Sequence, residues 1–487
     1  MNKKILLVEP AYRTKYPPLG LMKLATYHKQ KGDEVTLVRG KSPSVRDNFW
    51  DKVYITTLFT YTWKETTETI RFYKDTLFQL SGKLFVGGIL ANLLEKELYN
   101  ETGVQPVTGL LDSSSKLGED DNVNIDLLPP DYEILKQVEN ENFHYDFTDA
   151  YLGYATRGCV RNCEFCAVKR LEKEYQPYID IKKMIDGIRA ASGEKRNLQL
   201  MDNNILASKH FSRIIADIKA AGFYKGATYA KTKQLRFVDF NQGLDGRLLT
   251  EEKMKLLAEI PLSPMRIAFD SIQDRPHYEK AVRLAHEYGQ RSMSNYILYN
   301  FKNDTPEDFY ERLRINIKLN EEFKKDKVRT AIYSFPMRYI PLDAKERDVH
   351  TGNKAWNKRY LRGIKLITNV TMGSVMPGAE FFNQAFGENA EEFKEILLMP
   401  DEFIRNRVVK NWKKLKGDKK LKPYVKEWRK TYRALTPSEK ERIIEILAPN
   451  DFEAVKKECG NGITGKTKKL LIAHLNAEEE VKAYADK

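Results

Sequence analysis

Short apolar runs alternate with stretches of helical periodicity six times between about residues 150 and 342. The apolar runs, which are candidate strands, lie at 151–156, 197–201, 236–241, 265–271, 295–300 and 330–335. The stretches between them repeat apolar residues at helix spacing, as at Ile181, Met184, Ile185 and Ile188. Strands that alternate with helices predict a parallel sheet covered by helices. Six such units favour a partial (β/α)6 barrel over a complete barrel of eight units.

Three of the chain's four cysteines stand within eight residues, directly after the first of these runs. Their spacing, Cys159-x3-Cys163-x2-Cys166, lets three thiolates converge on one metal centre. Soft sulfur ligands select zinc, copper(I) or iron–sulfur clusters. A structural zinc site normally has four protein ligands, and no fourth cysteine or histidine stands close by in the sequence. Three thiolates on a four-iron cluster leave one iron open, which is a catalytic arrangement.

The pattern Cys159-x3-Cys163-x-Phe165-Cys166 resembles the cluster loop of the radical S-adenosylmethionine (SAM) superfamily. The preceding Thr-Arg-Gly at 156–158 is similar to the lead-in of members that carry a cobalamin-binding-type domain. The resemblance implies that the three cysteines ligate three irons of a [4Fe–4S] cluster and that SAM binds the fourth iron. One electron from an external reductant would then cleave SAM to methionine and a 5′-deoxyadenosyl radical. We expect that radical to abstract hydrogen from a substrate that the sequence does not identify.

By the same resemblance, six side chains are expected to contact SAM. They are Phe165, Asp202, Asn203, Gln242, Asp270 and Ser271. Asp202 and Asn203 stand where the family commonly has Gly-Gly-Glu, and they would bind the methionine amine. Asp270 and Ser271 resemble a Glu-Ser segment near the ribose or the carboxylate, and Phe165 would lie against the adenine. The alternatives are that strand ends are polar because loops are polar, and that Phe165 is a core aromatic.

The first 111 residues predict a separate doubly wound, Rossmann-like parallel sheet. Candidate strands at 4–9, 34–38, 53–57 and 83–86 alternate with helical stretches. Ligands of such sheets bind beyond the carboxyl ends of the strands. The loop at 9–18 and the Gly87-Gly88 turn are therefore expected to face one crevice.

The Pro-Pro-Leu-Gly at 17–20 and the Gly87-Gly88 turn are similar to the cobalamin-binding-type domain that precedes many radical SAM cores. The Asp-x-His-x-x-Gly signature of that family, whose histidine ligates cobalt, is absent here. His28 belongs to a helical stripe instead and is expected to be an ordinary core or surface histidine. The domain either binds cobalamin without a histidine ligand or is a degenerate shell. A cobalamin-dependent radical SAM methyltransferase is therefore an alternative function.

The C-terminal residues 345–487 predict a mostly α-helical, basic domain. Residues 401–487 hold 22 Lys and Arg against 14 Asp and Glu, so they supply +8 of the net charge of +14. Between 407 and 433 basic residues interleave with Trp412, Tyr424, Trp428 and Tyr432. If the basic side chains contact phosphates and the aromatics stack on bases, this region is a nucleic-acid surface. In the alternative, the aromatics are anchors of a helical core. A nucleic-acid-binding or nucleic-acid-modifying protein is thus a second alternative function.

Two features near the C-terminus are not expected to take part in the function. Cys459 stands far from the other cysteines, and we expect it to be incidental rather than a thiol donor or cluster ligand. Residues 466–487 are expected to form an exposed helix or a frayed tail.

These patterns divide the chain into four segments: a cobalamin-binding-like Rossmann domain at 1–111, a linker at 112–148, a radical SAM core at 149–344 and the helical domain at 345–487. Four cysteines in 487 residues do not make a disulfide framework. No apolar run reaches the roughly 18 residues of a membrane helix, and the apolar run at the N-terminus is too short for a signal peptide. We therefore expect a cytoplasmic protein without a membrane partner, and the resemblance implies an enzyme that takes electrons from a flavodoxin- or ferredoxin-type reductant.

Overall fold

A computed structural model describes residues 2–74, 83–326, 329–407 and 421–485. The chain divides into two compact units, Met1–Arg266 with Ile340–Val349, and Ile267–Tyr339 with His350–Lys487. The predicted α/β class is confirmed, with a Rossmann-like N-terminal sheet, further parallel strands alternating with helices, and a helical C-terminal region. The boundaries between the four predicted segments remain predictions.

The first unit holds most of the strands. They are β1 (Lys4–Glu9), β2 (Glu34–Arg39), β3 (Lys52–Thr57), β4 (Leu84–Gly88), β5 (Ala150–Gly153), β6 (Asn197–Leu200), β7 (Val238–Phe240) and β8 (Met265–Arg266). Its α-helices are α1 (Leu19–Gln30), α2 (Pro43–Arg46), α3 (Trp63–Lys74), α4 (Ile89–Leu93), α5 (Glu95–Thr102), α6 (Val168–Leu171), α7 (Ile181–Ser192), α8 (Phe211–Ala220) and α9 (Glu251–Leu257). Short 3-10 turns lie at Thr60–Thr62, Ser114–Leu117, Ile125–Leu127, Glu133–Gln137, Ile205–Ala207 and Gly246–Leu248.

The N-terminal sheet has the strand order β2-β1-β3-β4, with every pairing parallel. The chain leaves β1 toward β2 on one side and then returns to β3 on the other, which is the switch point of a doubly wound sheet. Apolar side chains of the strands, such as Val8 and Ile55, pack with Ile70 in one buried core. At the end of β4, a Cβ on Gly88 would lie 2.3 Å from the Thr57 carbonyl oxygen, so only glycine fits there.

Residues 112–148, the predicted linker, pack on this sheet. The Gln137 side chain accepts a hydrogen bond from the Leu37 N–H at 2.7 Å, and the Asp131 N–H donates to the Met22 carbonyl at 3.1 Å. Because β2 lies at the edge of the sheet, the contact from Gln137 satisfies an edge N–H that would otherwise be open.

The second parallel sheet of this unit has the order β5-β6-β7. The predicted helical stripe at 181–188 is confirmed in α7, where Ile181, Met184, Ile185 and Ile188 are buried. Thr250 caps α9 as predicted, because its side chain accepts a hydrogen bond from the Lys253 N–H. The carboxyl end of β5 leads directly into the cysteine-bearing segment.

The second unit contains a parallel strand pair and a set of helices. The strands are β9 (Ser292–Tyr299) and β10 (Ala331–Arg338). The helices are α10 (Arg275–Glu287), α11 (Pro306–Phe323), α12 (Lys358–Val370), α13 (Ala379–Phe386), α14 (Ala390–Leu398), α15 (Asp401–Arg407), α16 (Leu421–Arg433), α17 (Pro437–Leu447), α18 (Phe452–Gly460) and α19 (Gly465–Ala485), with a 3-10 turn at Ile272–Asp274. The predicted start of α11 is confirmed, since Thr305 and Asp308 form a reciprocal capping box.

Two aromatics of α16 lie in the core of the helical region, whereas Tyr424 is half-buried. Trp428 and Tyr432 are both buried, and their rings stack at 5.3 Å between centroids. This arrangement favours the core-anchor interpretation of these two side chains over a base-stacking surface, while Trp412 lies outside the described residues. The prediction of an exposed C-terminal helix is wrong for the first turns of α19, because Leu470 and Leu471 are buried. In the part of the chain described, no helix is both long enough and apolar enough to cross a bilayer.

Candidate cluster and cofactor site

Asp202, just after β6, fixes the backbone that leads from β5 into the cysteine loop (residues 157–172). Its carboxylate accepts hydrogen bonds from the Ala155 N–H at 3.0 Å and the Thr156 hydroxyl at 2.6 Å, and also from the Thr156 N–H. All three residues are fully buried. Burial raises the pKa of Asp202 to about 6, although the hydrogen bonds from Thr156 and Ala155 lower it. The entry to the cysteine loop is therefore held by a side chain from the neighbouring strand.

Arg157 ties the two ends of the cysteine loop together. Its guanidinium lies 3.0 Å from the Glu172 carboxylate and 3.1 Å from that of Asp126, and its side chain is 8% exposed. The guanidinium also lies over the Tyr154 ring, 3.9 Å from its centroid. The Arg157 N–H donates to the Gln176 carbonyl at 3.0 Å, and the Gln176 N–H donates back at 2.9 Å. Buried charges need partners of this kind, so the base of the loop is closed by both main-chain and ionic contacts.

Gly158 makes the turn into the loop. Its φ is +72°, and a Cβ at this position would lie 2.2 Å from the Glu174 carbonyl oxygen. Its N–H donates to the Glu172 carboxylate. A side chain is excluded both by the backbone conformation and by the space available.

The thiols of Cys159, Cys163 and Cys166 are half-buried and form no disulfide. The Cys166 N–H donates to the Cys163 carbonyl at 3.0 Å, which folds the second half of the loop into a turn. The Arg161 N–H donates to Cys159 Sγ at 3.3 Å. Within residues 2–74, 83–326, 329–407 and 421–485, no group of three His, Cys, Asp or Glu side chains surrounds a single metal-ion position. Since cysteine thiolates are the usual ligands of iron–sulfur clusters, three accessible thiols on one short loop fit a [4Fe–4S] cluster.

Asn204, Asp245 and Arg161 form a polar group beside Cys159 that sequence reasoning did not identify. Asn204 Nδ2 lies 3.6 Å from Cys159 Sγ and 3.4 Å from Asp245 Oδ2. Asp245 pairs with Arg161 at 2.9 Å and with Arg247 at 2.7 Å. Burial opposes ionisation of Asp245, but Arg247 and Arg161 outweigh it and hold the pKa of this carboxyl below its ordinary value. Asn204 belongs to the polar end of a strand and could be noticed in the sequence. No sequence pattern around Asp245 indicates that it lies next to Asn204.

The predicted SAM contacts of the first unit lie at the ends of neighbouring strands and on the loop. Asn203 is half-buried and donates its amide to Glu172 at 3.2 Å. Gln242 follows β7 and is exposed, and Phe165 is half-buried in the cysteine loop. A carboxylate has about four acceptor positions, and three of those on Asp202 are used by Ala155 and Thr156. The roles of these residues toward SAM remain predictions.

Asp270 and Ser271 belong to the second unit. The Asp270 carbonyl accepts a hydrogen bond from Arg312 Nη1 at 2.7 Å. The Ser271 hydroxyl caps a 3-10 turn by accepting a hydrogen bond from the Gln273 N–H at 3.3 Å.

Cys459 is also in the second unit, half-buried on α18, where burial raises the pKa of its thiol. The expectation that Cys459 is incidental remains a prediction.

At the carboxyl end of the N-terminal sheet, where a cobalamin would lie if the domain binds one, side chains bond to one another. The Glu9 carboxylate accepts a hydrogen bond from the Tyr145 hydroxyl and lies 3.4 Å from the Arg39 guanidinium. The hydroxyls of Tyr12 and Thr66 are hydrogen-bonded at 2.7 Å. Burial raises the pKa of Glu9 to about 7, outweighing the opposite effects of Tyr145 and Arg39. The polar side chains of the loop after β1 thus form hydrogen bonds and ion pairs with other residues of the first unit.

His28 is a satisfied core histidine, as predicted. It is fully buried, with Nδ1 at 2.7 Å from the Asp33 carboxylate and Nε2 at 3.0 Å from the Tyr54 hydroxyl. No histidine stands on the loop at 9–18. These residues do not fit a cobalamin whose cobalt is ligated by a histidine of this loop.

Residues 154–314 match the model of the radical SAM superfamily. The chain contains a radical SAM domain. The predicted superfamily is thereby confirmed, together with the predictions of an enzyme and of a [4Fe–4S] cluster and SAM as its cofactors. Radical SAM enzymes generally need an external reductant, and this requirement extends to the chain.

The solved structures that match the chain include two of the radical SAM methyltransferase TsrM from Kitasatospora setae. The structure with cobalamin and a [4Fe–4S] cluster bound is 15% identical with a TM-score of 0.47, over 70% of this chain and 77% of that chain. The structure with tryptophan substrate and the SAM analogue aza-SAM bound is 14% identical with a TM-score of 0.48, over 99% of this chain and 100% of that chain. No curated protein sequence matches this chain.

Proposed function

We propose that Cys159, Cys163 and Cys166 hold a [4Fe–4S] cluster at which SAM is cleaved reductively, and that the resulting radical abstracts hydrogen from a substrate. The observation that carries the proposal is the cysteine loop itself. Three half-buried thiols lie on one loop of the radical SAM domain, and both ends of that loop are fixed by buried contacts of Arg157 and Asp202. A loop fixed in this way can hold three cysteine ligands in place for three irons of the cluster, without a fourth protein ligand.

A [4Fe–4S] cluster held by Cys159, Cys163 and Cys166 would pass one electron from an external reductant to SAM, and cleavage of a carbon–sulfur bond would give methionine and a 5′-deoxyadenosyl radical. The residues of the chain bind and orient. We assign Phe165 to the adenine, Asp202 and Asn203 to the methionine amine, and Gln242 to a further polar contact. Asp270 and Ser271 are assigned to the ribose or carboxylate. Orientation of this kind selects which C–H bond the radical meets, because the bound geometry sets which reacting atoms come into contact.

The first experiment is an anaerobic SAM-cleavage assay on the reconstituted full-length protein. With dithionite and SAM, we expect iron and sulfide in the protein and 5′-deoxyadenosine in the products. Cys163→Ser should lose iron and 5′-deoxyadenosine, whereas the matched variant Cys459→Ser should keep both. Full reconstitution with neither SAM binding nor 5′-deoxyadenosine, or zinc in place of iron, would overturn the proposal.

The physiological reductant is proposed to be a flavodoxin- or ferredoxin-type protein, and the compartment the cytoplasm. Both follow from the chemistry of the cluster, since it needs single electrons at low potential and a reducing environment. Replacing dithionite by reduced flavodoxin in the same assay tests the first point. Failure of several such proteins to support turnover that dithionite supports would count against it.

A cobalamin-dependent methyltransferase remains the alternative, favoured by the β2-β1-β3-β4 order of the N-terminal sheet. Without a histidine ligand on the loop at 9–18, cobalamin would have to bind through other contacts at the carboxyl ends of the strands. Equilibrium dialysis with hydroxocobalamin, read by its visible absorption, decides between the two. Stoichiometric retention of cobalamin by the protein favours the methyltransferase. If no cobalamin is retained, the enzyme that works without cobalamin is favoured.

Nucleic acid as a partner is supported by charge, through the +8 of residues 401–487. Trp428 and Tyr432 do not add to it because they are buried. A gel shift with single-stranded and duplex RNA over a range of salt concentrations tests this partner. Binding that falls steeply with salt supports it, and no shift at low salt removes it.

A further inference from the structure

The side chain of Asn204 is placed between a cluster cysteine and a carboxylate. Asn204 is 3% exposed and follows β6 in the first unit. Its Nδ2 lies 3.6 Å from Cys159 Sγ and 3.4 Å from Asp245 Oδ2. Its carbonyl accepts a hydrogen bond from the Tyr175 hydroxyl at 3.1 Å, which holds the main chain at this position.

Asp245 determines which end of the Asn204 amide faces the sulfur. An ionised carboxylate only accepts hydrogen bonds, whereas the amide nitrogen has two N–H donors. Asp245 is paired with two guanidinium groups, Arg161 at 2.9 Å and Arg247 at 2.7 Å. The amide nitrogen therefore faces Asp245, and its second N–H is left for Cys159 Sγ. The orientation follows from the hydrogen-bond network, which is how such amides are assigned.

Cys159 thus receives two N–H groups, one from the Arg161 main chain at 3.3 Å and one from the Asn204 side chain. Hydrogen bonds to the sulfurs are among the factors that set the reduction potential of an iron–sulfur cluster. A reduced cluster carries one more negative charge than the oxidised form, and that charge is shared with the cysteine sulfurs. A donor at the sulfur consequently stabilises the reduced form more than the oxidised form.

We propose that Asn204 is a positioning residue that raises the reduction potential of the cluster through its hydrogen bond to Cys159 Sγ, with Asp245 holding the amide in place. The inference rests on the proposed cluster ligation. It adds a residue outside the cysteine loop to the machinery of reductive SAM cleavage. The effect is on how readily the cluster accepts an electron, and Asn204 need not touch SAM.

The test is a redox titration of the reconstituted full-length protein, followed by the electron paramagnetic resonance signal of the reduced cluster. Asn204→Leu keeps similar volume and removes the donor, and Asn204→Ser is the second variant if the first does not fold. We expect the potential to become more negative by about 59 mV, the value for a tenfold change in a one-electron equilibrium. Asn197→Leu makes the same change at the opposite end of β6 and should leave the potential as in the wild type.

The outcomes separate the two proposals. If the wild type binds no iron–sulfur cluster, the proposed function fails and this inference fails with it. If the cluster forms but Asn204→Leu and Asn204→Ser titrate at the wild-type potential, the inference is overturned while the proposed function stands. An equal shift in Asn197→Leu would also overturn it, because the effect would not depend on the contact to Cys159.

Discussion

The Arg157 guanidinium lies 3.0 Å from the Glu172 carboxylate and joins the two ends of the loop that carries Cys159, Cys163 and Cys166. The same guanidinium reaches Asp126, in the segment between the N-terminal sheet and β5, at 3.1 Å. Lys23 of α1 also pairs with Asp126, at 3.2 Å. A chain of buried charges therefore runs from the first helix of the protein to the base of the cysteine loop.

Removing Arg157 should be strongly destabilising. Arg157→Leu removes the guanidinium that pairs with Glu172 and leaves Asp126 paired with Lys23, and breaking a buried ion pair typically costs about 3–5 kcal/mol. The free energy of unfolding of the apoprotein in urea measures the loss. Arg71→Leu is the control, since Arg71 pairs with Glu101 where both side chains are well exposed, and such pairs contribute at most about 1 kcal/mol. Equal losses in the two variants would contradict the buried-charge argument.

Gly158→Ala should disrupt the cysteine loop beyond the cost of its backbone conformation. The added Cβ would lie 2.2 Å from the Glu174 carbonyl oxygen. Gly193 has a similar φ of +76°, but a Cβ there meets nothing within 4 Å. Gly193→Ala should thus cost only the strain of its backbone conformation, φ +76° and ψ 176°, about 1–3 kcal/mol, while Gly158→Ala should cost more and lower iron incorporation. Equal stability and equal iron content in the two variants would rule out the steric explanation.

The helical region should lose stability in mild acid because of His474. This side chain is buried, and burial, with a smaller effect of Arg359, lowers its pKa to about 3. A histidine that is neutral when folded contributes its full stability above the unfolded pKa of about 6.5, and that contribution is lost as the pH falls from 6.5 toward 3. Between pH 7 and pH 5 the loss should be about 2 kcal/mol.

Urea unfolding at pH 7 and pH 5 checks this dependence on His474. His474→Leu should reduce the difference between the two pH values, because the titrating group is gone. His277→Leu, at an exposed position of the same unit, should leave the difference unchanged. An unaltered pH dependence in His474→Leu would show that other groups are responsible.

Trp428 should matter for stability rather than for contact with nucleic acid. It is 4% exposed and stacked on Tyr432, and truncating a buried tryptophan typically costs about 3–5 kcal/mol. Thermal unfolding of Trp428→Ala should show this loss, whereas Phe452→Ala, at a side chain that is 50% exposed, should change little. A Trp428→Ala variant of wild-type stability with weakened RNA binding would reverse the assignment.

Local sequence patterns were sufficient to place most strands. The run at 4–9 coincides with β1, and the run at 197–201 gives Asn197–Leu200. The predicted strand at 236–241 is longer than the observed β7, Val238–Phe240, because of contacts with residues distant in the sequence. The buried Arg236 side chain pairs with Glu194 and donates to the Gly222 carbonyl, and these contacts keep the start of the run out of the β-sheet pairing.

The sequence by itself determined the chemistry available at the site, because thiol ligands, their spacing and the period of the apolar residues are local properties of the chain. Only the tertiary structure decided which groups surround those thiols. Thr156 meets Asp202 across 46 positions, Cys159 meets Asn204 across 45, and Arg157 meets Asp126 across 31. Such contacts depend on which strands pair and where each one ends, and no local pattern encodes that. The contacts of Asp202 and Asn204 with the cysteine-bearing segment are therefore consequences of parallel strand pairing, since both residues follow β6.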